Sequence, residues 1–129
     1  MRAKILIADD HASVRRSLKA VLEQTGEFQV CCEAKDGLEA VELAKRHHPD
    51  VVILDLLMPN LNGFNAAKAI SSSLPNVPIV LHTMYGGAAV EREAKKYGVD
   101  AVVPKLGSQD WRSVIEEFLD APQDTSTGG

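Results

Sequence analysis

The strongest constraint on this chain is a set of short, unbroken apolar runs that each stop at a polar or charged residue. Lys4-Ile-Leu-Ile-Ala8 halts at Asp9-Asp10, and Val51-Val-Ile-Leu54 halts at Asp55. Pro78-Ile-Val-Leu81 leads into His82-Thr83, and Ala101-Val-Val103 into Pro104-Lys105. A strand with one wet face alternates apolar and polar residues. A run that is apolar at every position fits a strand covered on both faces. Phe28 to Cys32 reads as one more short strand, without such a group at its end.

Between these runs the period changes to that of a helix. Val14, Leu18, Val21 and Leu22 share a stripe, with Arg15, Arg16, Lys19 and Glu23 between them and Gly26 beyond as a stop. Ala40, Val41 and Ala44 form a second stripe between the Asp36-Gly37 turn and His47-His48-Pro49. Phe64, Ala67 and Ile70 follow a loop punctuated by Pro59-Asn60 and Asn62-Gly63, and Val90, Ala94 and Tyr97 run on to Gly98. The last stripe holds Trp111, Val114, Ile115, Phe118 and Leu119, with Ser108 expected as its N-cap. Five strand–helix alternations without repeat or linker predict an α/β fold, a parallel sheet with helices on both faces. The expected domain covers 1–120. Residues 121–129 carry no apolar anchor and are expected to form a disordered tail.

The chain has 129 residues, enough for one domain with one real core. A formal charge of −4 argues against nucleic-acid binding, which needs clustered Lys and Arg. No apolar run approaches a membrane span. The opening Met-Arg-Ala-Lys leads directly into a strand, so no signal peptide and a cytoplasmic location are expected. Cys31 and Cys32 are neighbours, and strand alternation should point them to opposite faces as reduced packing residues, a poor disulfide and an implausible metal site on their own. His47 and His48 fit a helix C-terminus, where imidazoles complement the dipole. His11 fits the first turn of a helix, Trp111 a core anchor, and Gly86-Gly87 a permissive loop.

In sheets of this kind ligands bind beyond the carboxyl ends of the strands. Strand one delivers Asp9 and Asp10 there, strand three Asp55, strand four Thr83 and strand five Lys105. Three crowded carboxylates repel, so one should titrate high unless a cation sits among them. Carboxylates, waters and a phosphate make the usual Mg²⁺ arrangement. A lysine and a hydroxyl suit a phosphoryl group. A carboxylate can itself be the nucleophile, giving an aspartyl phosphate.

With these residues placed, the chain resembles the receiver domains of bacterial two-component response regulators. The resemblance rests on Ala8-Asp9-Asp10-His11, on Asp55-Leu-Leu-Met-Pro59 with Asn62-Gly63, on His82-Thr83-Met84 and on Lys105, and it covers roughly residues 3 to 120. The Asp-Asp-His opening and the Lys-Leu-Gly-Ser ending look most like the NarL/LuxR-type subfamily. The resemblance implies a flavodoxin-like sheet of order 2-1-3-4-5 with five helices. It implies Asp55 as phosphoacceptor and Mg²⁺ held by Asp10, Asp55 and the carbonyl of Leu57, with Asp9 acting mainly through water. Thr83 would bond the phosphoryl oxygen and Lys105 would pair with it.

The same resemblance implies a sensor histidine kinase or phosphotransfer protein as donor, an unknown downstream protein, and a phosphorylation-linked homodimer as one form. Partner binding would change through the face of helix four, strand five and helix five. The domain would catalyse only its own phosphorylation and slow dephosphorylation. One position departs from the pattern: Val102 stands three residues before Lys105, where the family usually has Tyr or Phe, so an inward-swinging ring is missing. This leaves a constitutive, unphosphorylated module as an alternative, opposed by the intact acids. An aspartyl phosphatase wants a second acid at Leu57, and a flavin carrier wants a phosphate cradle where Asp9-Asp10 stand.

Overall fold

The computed structural model describes residues 2–119, so the tail expected over 121–129 lies outside the described residues. Its elements alternate in chain order. They are β1 (Ala3–Ala8), α1 (Ala12–Gln24), β2 (Phe28–Ala34), α2 (Gly37–His47) and β3 (Val51–Leu54), then α3 (Gly63–Ser73), β4 (Ile79–Thr83), α4 (Ala88–Lys96), β5 (Ala101–Pro104) and α5 (Trp111–Leu119). All strand pairs are parallel, and the sheet runs β2-β1-β3-β4-β5. The fold is the doubly wound parallel sheet that the alternation predicts, in the flavodoxin-like strand order that the resemblance implies. Among the described residues no helix is long and apolar enough to cross a membrane.

The continuous apolar runs serve two cores. Along β1, Ile5 and Ile7 enter the cluster that holds Leu18, Leu22, Trp111 and Ile115 of α1 and α5. Leu6 and Ala8 enter the opposite cluster, with Ala40, Ala44, Ala66, Ala67 and Ile70 of α2 and α3. The same division separates Val51 and Ile53 from Val52 and Leu54 on β3. Successive side chains of a strand point to opposite faces, so only a fully apolar run satisfies both layers. Burying one such side chain is worth about 1.5–3 kcal/mol.

Helix ends are set locally. Asp36 caps α2 by accepting the Glu39 N–H (2.8 Å), and Asn62 caps α3 by accepting the Asn65 N–H (2.9 Å). Gly37 and Gly63 begin these helices because backbone crowds them. A Cβ on Gly63 would lie 2.2 Å from the Asp55 carbonyl oxygen, and one on Gly37 1.9 Å from that of Leu61. Both helices therefore dock tightly on the loop that follows β3, which fixes where Asp55 points.

Several local expectations are corrected. β2 continues through Glu33 and Ala34 rather than ending at Cys32. Val21 shares the helical spacing of α1 but is exposed, because its position faces the open side of the α1–α5 groove. The cap of α5 is Asp110, not Ser108: its carboxylate accepts both the backbone N–H and the hydroxyl of Ser113 (3.2 and 2.8 Å). Cys31 and Cys32 do not point apart; their Sγ atoms lie 3.1 Å from each other. The cause is a shift of register. Ile5 pairs with Val30 but Leu6 pairs with Cys32, so Cys31 is an extra residue that interrupts the alternation.

Candidate functional site

The carboxyl ends of β1, β3, β4 and β5 gather the polar residues that the sequence places there. Asp9 and Asp55 are buried, and Thr83 is fully so. Lys105 reaches back from the end of β5 with its Nζ 2.6 Å from Asp9 Oδ2 and 3.2 Å from Asp55 Oδ1. Its position is fixed from the backbone, because the Lys105 N–H donates to the Thr83 carbonyl (2.9 Å). Likewise the Asp55 N–H donates to the Ala8 carbonyl (2.9 Å), which brings the end of β3 beside Asp9. Thr83 Oγ1 accepts the Tyr85 N–H (3.0 Å), so the hydroxyl is held at the start of the β4–α4 loop.

Asp10 differs from its neighbour. Its side chain is about one-third exposed and turns toward His11. Oxygens of Asp9, Asp10 and Asp55 and a ring nitrogen of His11 all lie within 4.8 Å of one another. Leu57 lies on the loop after β3 with its side chain exposed.

The electrostatics are unbalanced. One partly buried ammonium faces two buried carboxylates, with a third at the rim. Burial and then the charge of Asp9 outweigh the pull of Lys105 and hold the Asp55 carboxyl above its usual value. Burial opposes the Lys105 charge, yet its bonds to Asp9 and Asp55 prevail and hold the ammonium above the ordinary lysine value. A hard cation with oxygen ligands fits this excess of negative charge.

Three neighbours escape a reading of the sequence. His11 is not in the first turn of α1 but just before it, in extended backbone. From there its Nδ1 lies 3.2 Å from carboxylate oxygens of both Asp9 and Asp10. Arg15, expected only as a polar residue of α1, donates from Nη1 to the Asp9 carbonyl (2.7 Å) and from Nε to Glu33 (3.1 Å). His82 is buried edge-on against Trp111, with ring centroids 5.1 Å apart. Burial, and then Lys105, push the imidazole down to about 4 against the opposing pull of Asp9, so it is neutral at physiological pH. The available sequence signal was alternation: His82 directly precedes Thr83 on β4 and so faces the α1–α5 layer.

A doubly wound parallel sheet with an acidic carboxyl edge, in place of a phosphate-cradling one, defines the class. Within it, the model of the response regulator receiver domain matches residues 5–115, and the chain belongs to that family. It is 38% identical over 109 residues to the protein-glutamate methylesterase/protein-glutamine glutaminase of Pyrococcus horikoshii, covering 83% of this chain but 29% of that protein. It is 38% identical over 105 residues to the chemotaxis protein CheY of Thermotoga maritima, covering 81% of this chain and 87% of that one. A LuxR-family response regulator from Aurantimonas superposes with a TM-score of 0.87 at 30% identity, over 93% of this chain and 86% of that one. The chain spans about a third of the length of the methylesterase relatives and 49% of the transcriptional regulatory protein LnrK.

Proposed function

We propose that this domain is a phosphorylation-dependent signalling switch in the cytoplasm, with Asp55 as the phosphoacceptor. The observation that carries the proposal is the Asp9–Lys105–Asp55 triad at the carboxyl edge of the sheet, two buried carboxylates joined by one partly buried ammonium. An Asp55 oxygen attacks the phosphorus of the donor, a phosphohistidine of a sensor kinase or phosphotransfer protein. The P–N bond breaks, and the imidazole leaves with the electron pair and takes up a proton. Lys105, already 3.2 Å from Asp55, neutralises charge on the transferred oxygens. The Thr83 hydroxyl, anchored by Tyr85, is the second donor to them.

The donor set also suits Mg²⁺. Asp10, Asp55 and the Leu57 carbonyl would ligate it directly and Asp9 through water, and the ion would offset the charge that accumulates in transfer. The chain's own contribution is to hold these oxygens together against their repulsion, which leaves Asp55 with its raised pKa.

The readout we propose is the face of α4, β5 and α5. α4 buries fully only Ala94 among its nine residues, so little packing resists its displacement. Val102 supplies no ring to swing inward. The change would then start at Thr83 and pass along the β4–α4 loop, altering the affinity for a downstream protein or a second copy. In this reading the domain turns over no outside substrate.

The test is incubation with acetyl phosphate, with and without Mg²⁺, followed by intact-mass measurement. One phosphoryl group per chain should appear, only with the divalent ion, and Asp55→Asn should abolish it. Equal modification of the Asp55→Asn variant would overturn the assignment.

A further inference from the structure

We propose that Cys31 and Cys32 form a two-thiol chelating site for a trivalent, thiophilic metalloid centre of the arsenical type. The site lies on β2, an edge strand of the sheet, and both residues are partly exposed. A regular strand would send the two thiols to opposite faces. Here the extra residue in the β1–β2 register removes that alternation and sets the Sγ atoms 3.1 Å apart.

The spacing, that of a thiol–thiol hydrogen bond, sets which shared centre the two sulfurs reach without rotating. With metal–sulfur bonds of about 2.3 Å, sulfurs 3.1 Å apart subtend roughly 85° at a shared centre. A tetrahedral ion such as Zn²⁺ needs sulfurs roughly 3.8 Å apart at that bond length, and two further ligands. A pyramidal centre that bonds through p orbitals takes ligands near a right angle, and an arsenic carrying one organic group needs only two thiols. A disulfide fits poorly. A trans peptide holds neighbouring Cα atoms about 3.8 Å apart, below the roughly 4.4 Å minimum usual for bridged cysteines.

The surroundings agree. Burial and the neighbouring Cys31 thiol push Cys32 up to about 12, so at neutral pH it is protonated and slow in thiol–disulfide exchange. Capture needs no oxidant. An arsenic oxide group condenses with two S–H groups, two As–S bonds replace the As–O bond, and the oxygen leaves with both thiol protons as water.

The probe is phenylarsine oxide, added to the reduced full chain and followed by intact mass. One adduct per chain should survive excess glutathione, a monothiol, and be removed by 2,3-dimercaptopropanol. Cys31→Ser and Cys32→Ser should each weaken retention at least tenfold. A second measurement covers a variant that fails to fold: saturating probe should raise the urea midpoint of the wild-type chain, because the bulge holds the two thiols together in the folded state, whereas the unfolded chain must order them at a cost in entropy and binds the probe more weakly. Loss of the wild-type adduct to glutathione, undiminished retention in either serine variant, or an unmoved urea midpoint would each overturn the proposal. So would displacement by an equal concentration of Zn²⁺.

Discussion

Replacing Asp55 by Asn should stabilise the metal-free domain. At 3.2 Å from Lys105 Nζ, the Asp55 carboxylate gains about 5 kcal/mol of attraction at an effective dielectric near 20. An acidic neighbour within 4.8 Å takes back at least about 3.5 kcal/mol. The surplus, no more than about 2 kcal/mol, is set against the several kcal/mol that a buried carboxylate loses with its water. The charged form is therefore the disfavoured one, which is the direction of the Asp55 pKa shift. Asparagine keeps the shape and can still accept from Lys105, and it leaves Asp9 with the lysine to itself. We expect a gain of about 1–2 kcal/mol, or roughly 3–8 °C in Tm for a domain of this size. The assay is urea unfolding at pH 7 with chelator present.

The pH dependence gives a second handle on the sign. The folded chain holds the Asp55 proton to higher pH than the unfolded chain does. Above that raised value the wild type bears the full cost, and the advantage of the variant is complete. As pH falls through it toward the ordinary carboxylate value, the folded wild type takes up its proton and the difference closes. A variant less stable than wild type at pH 7, or a gap that widens on acidification, would show that attraction to Lys105 outweighs burial and repulsion.

Other substitutions probe the same edge. Lys105→Met leaves two buried carboxylates without their counter-charge and should cost about 3–5 kcal/mol in urea unfolding. His82 is held neutral, pushed from 6.5 down to about 4, so its share of stability is lost as pH falls between those values, up to about 3 kcal/mol. His82→Leu should flatten that part of the stability–pH curve relative to wild type. Leu57, two residues after the proposed acceptor, and Met84 and Tyr85, just after Thr83, are exposed and none is a carboxylate or amide that could orient water, so phosphoryl loss should be slow. Leu57→Asn with Tyr85→Glu should speed the decay of the phosphorylated domain, and equal rates would show that water access is set elsewhere.

What was legible in the sequence was whatever burial on two faces dictates. Ile5–Ala8 and Val51–Leu54 are apolar at every position because they serve two cores, and each stops where the carboxyl edge begins. That rule alone placed Asp9, Asp10, Asp55, Thr83 and Lys105 at one edge. It did not show that Asp9 faces Lys105 while Asp10 turns outward, because adjacent aspartates look alike until the backbone direction is known. Val21 has helical spacing, but among the described residues no element covers it. The cysteine pair misled for the opposite reason: alternation is a rule for regular strands, and a one-residue bulge leaves no mark in composition. His82 is hidden in the sequence because a histidine within an apolar run reads as the end of the strand. Its burial depends on Trp111, twenty-nine residues further along the chain.

The proposed switch depends on one bond, from a phosphoryl group to the side-chain carboxylate of Asp55. Borohydride reduces an acyl phosphate to an alcohol but leaves phosphoserine, phosphothreonine and free carboxylates intact. The domain is phosphorylated with acetyl phosphate and Mg²⁺, reduced, digested and mapped by mass. A single reduced side chain is expected, at Asp55, and none when Mg²⁺ is withheld. Reduction at Asp9 or Asp10, or a phosphoryl group that resists borohydride and stays on another side chain, would contradict the assignment to Asp55.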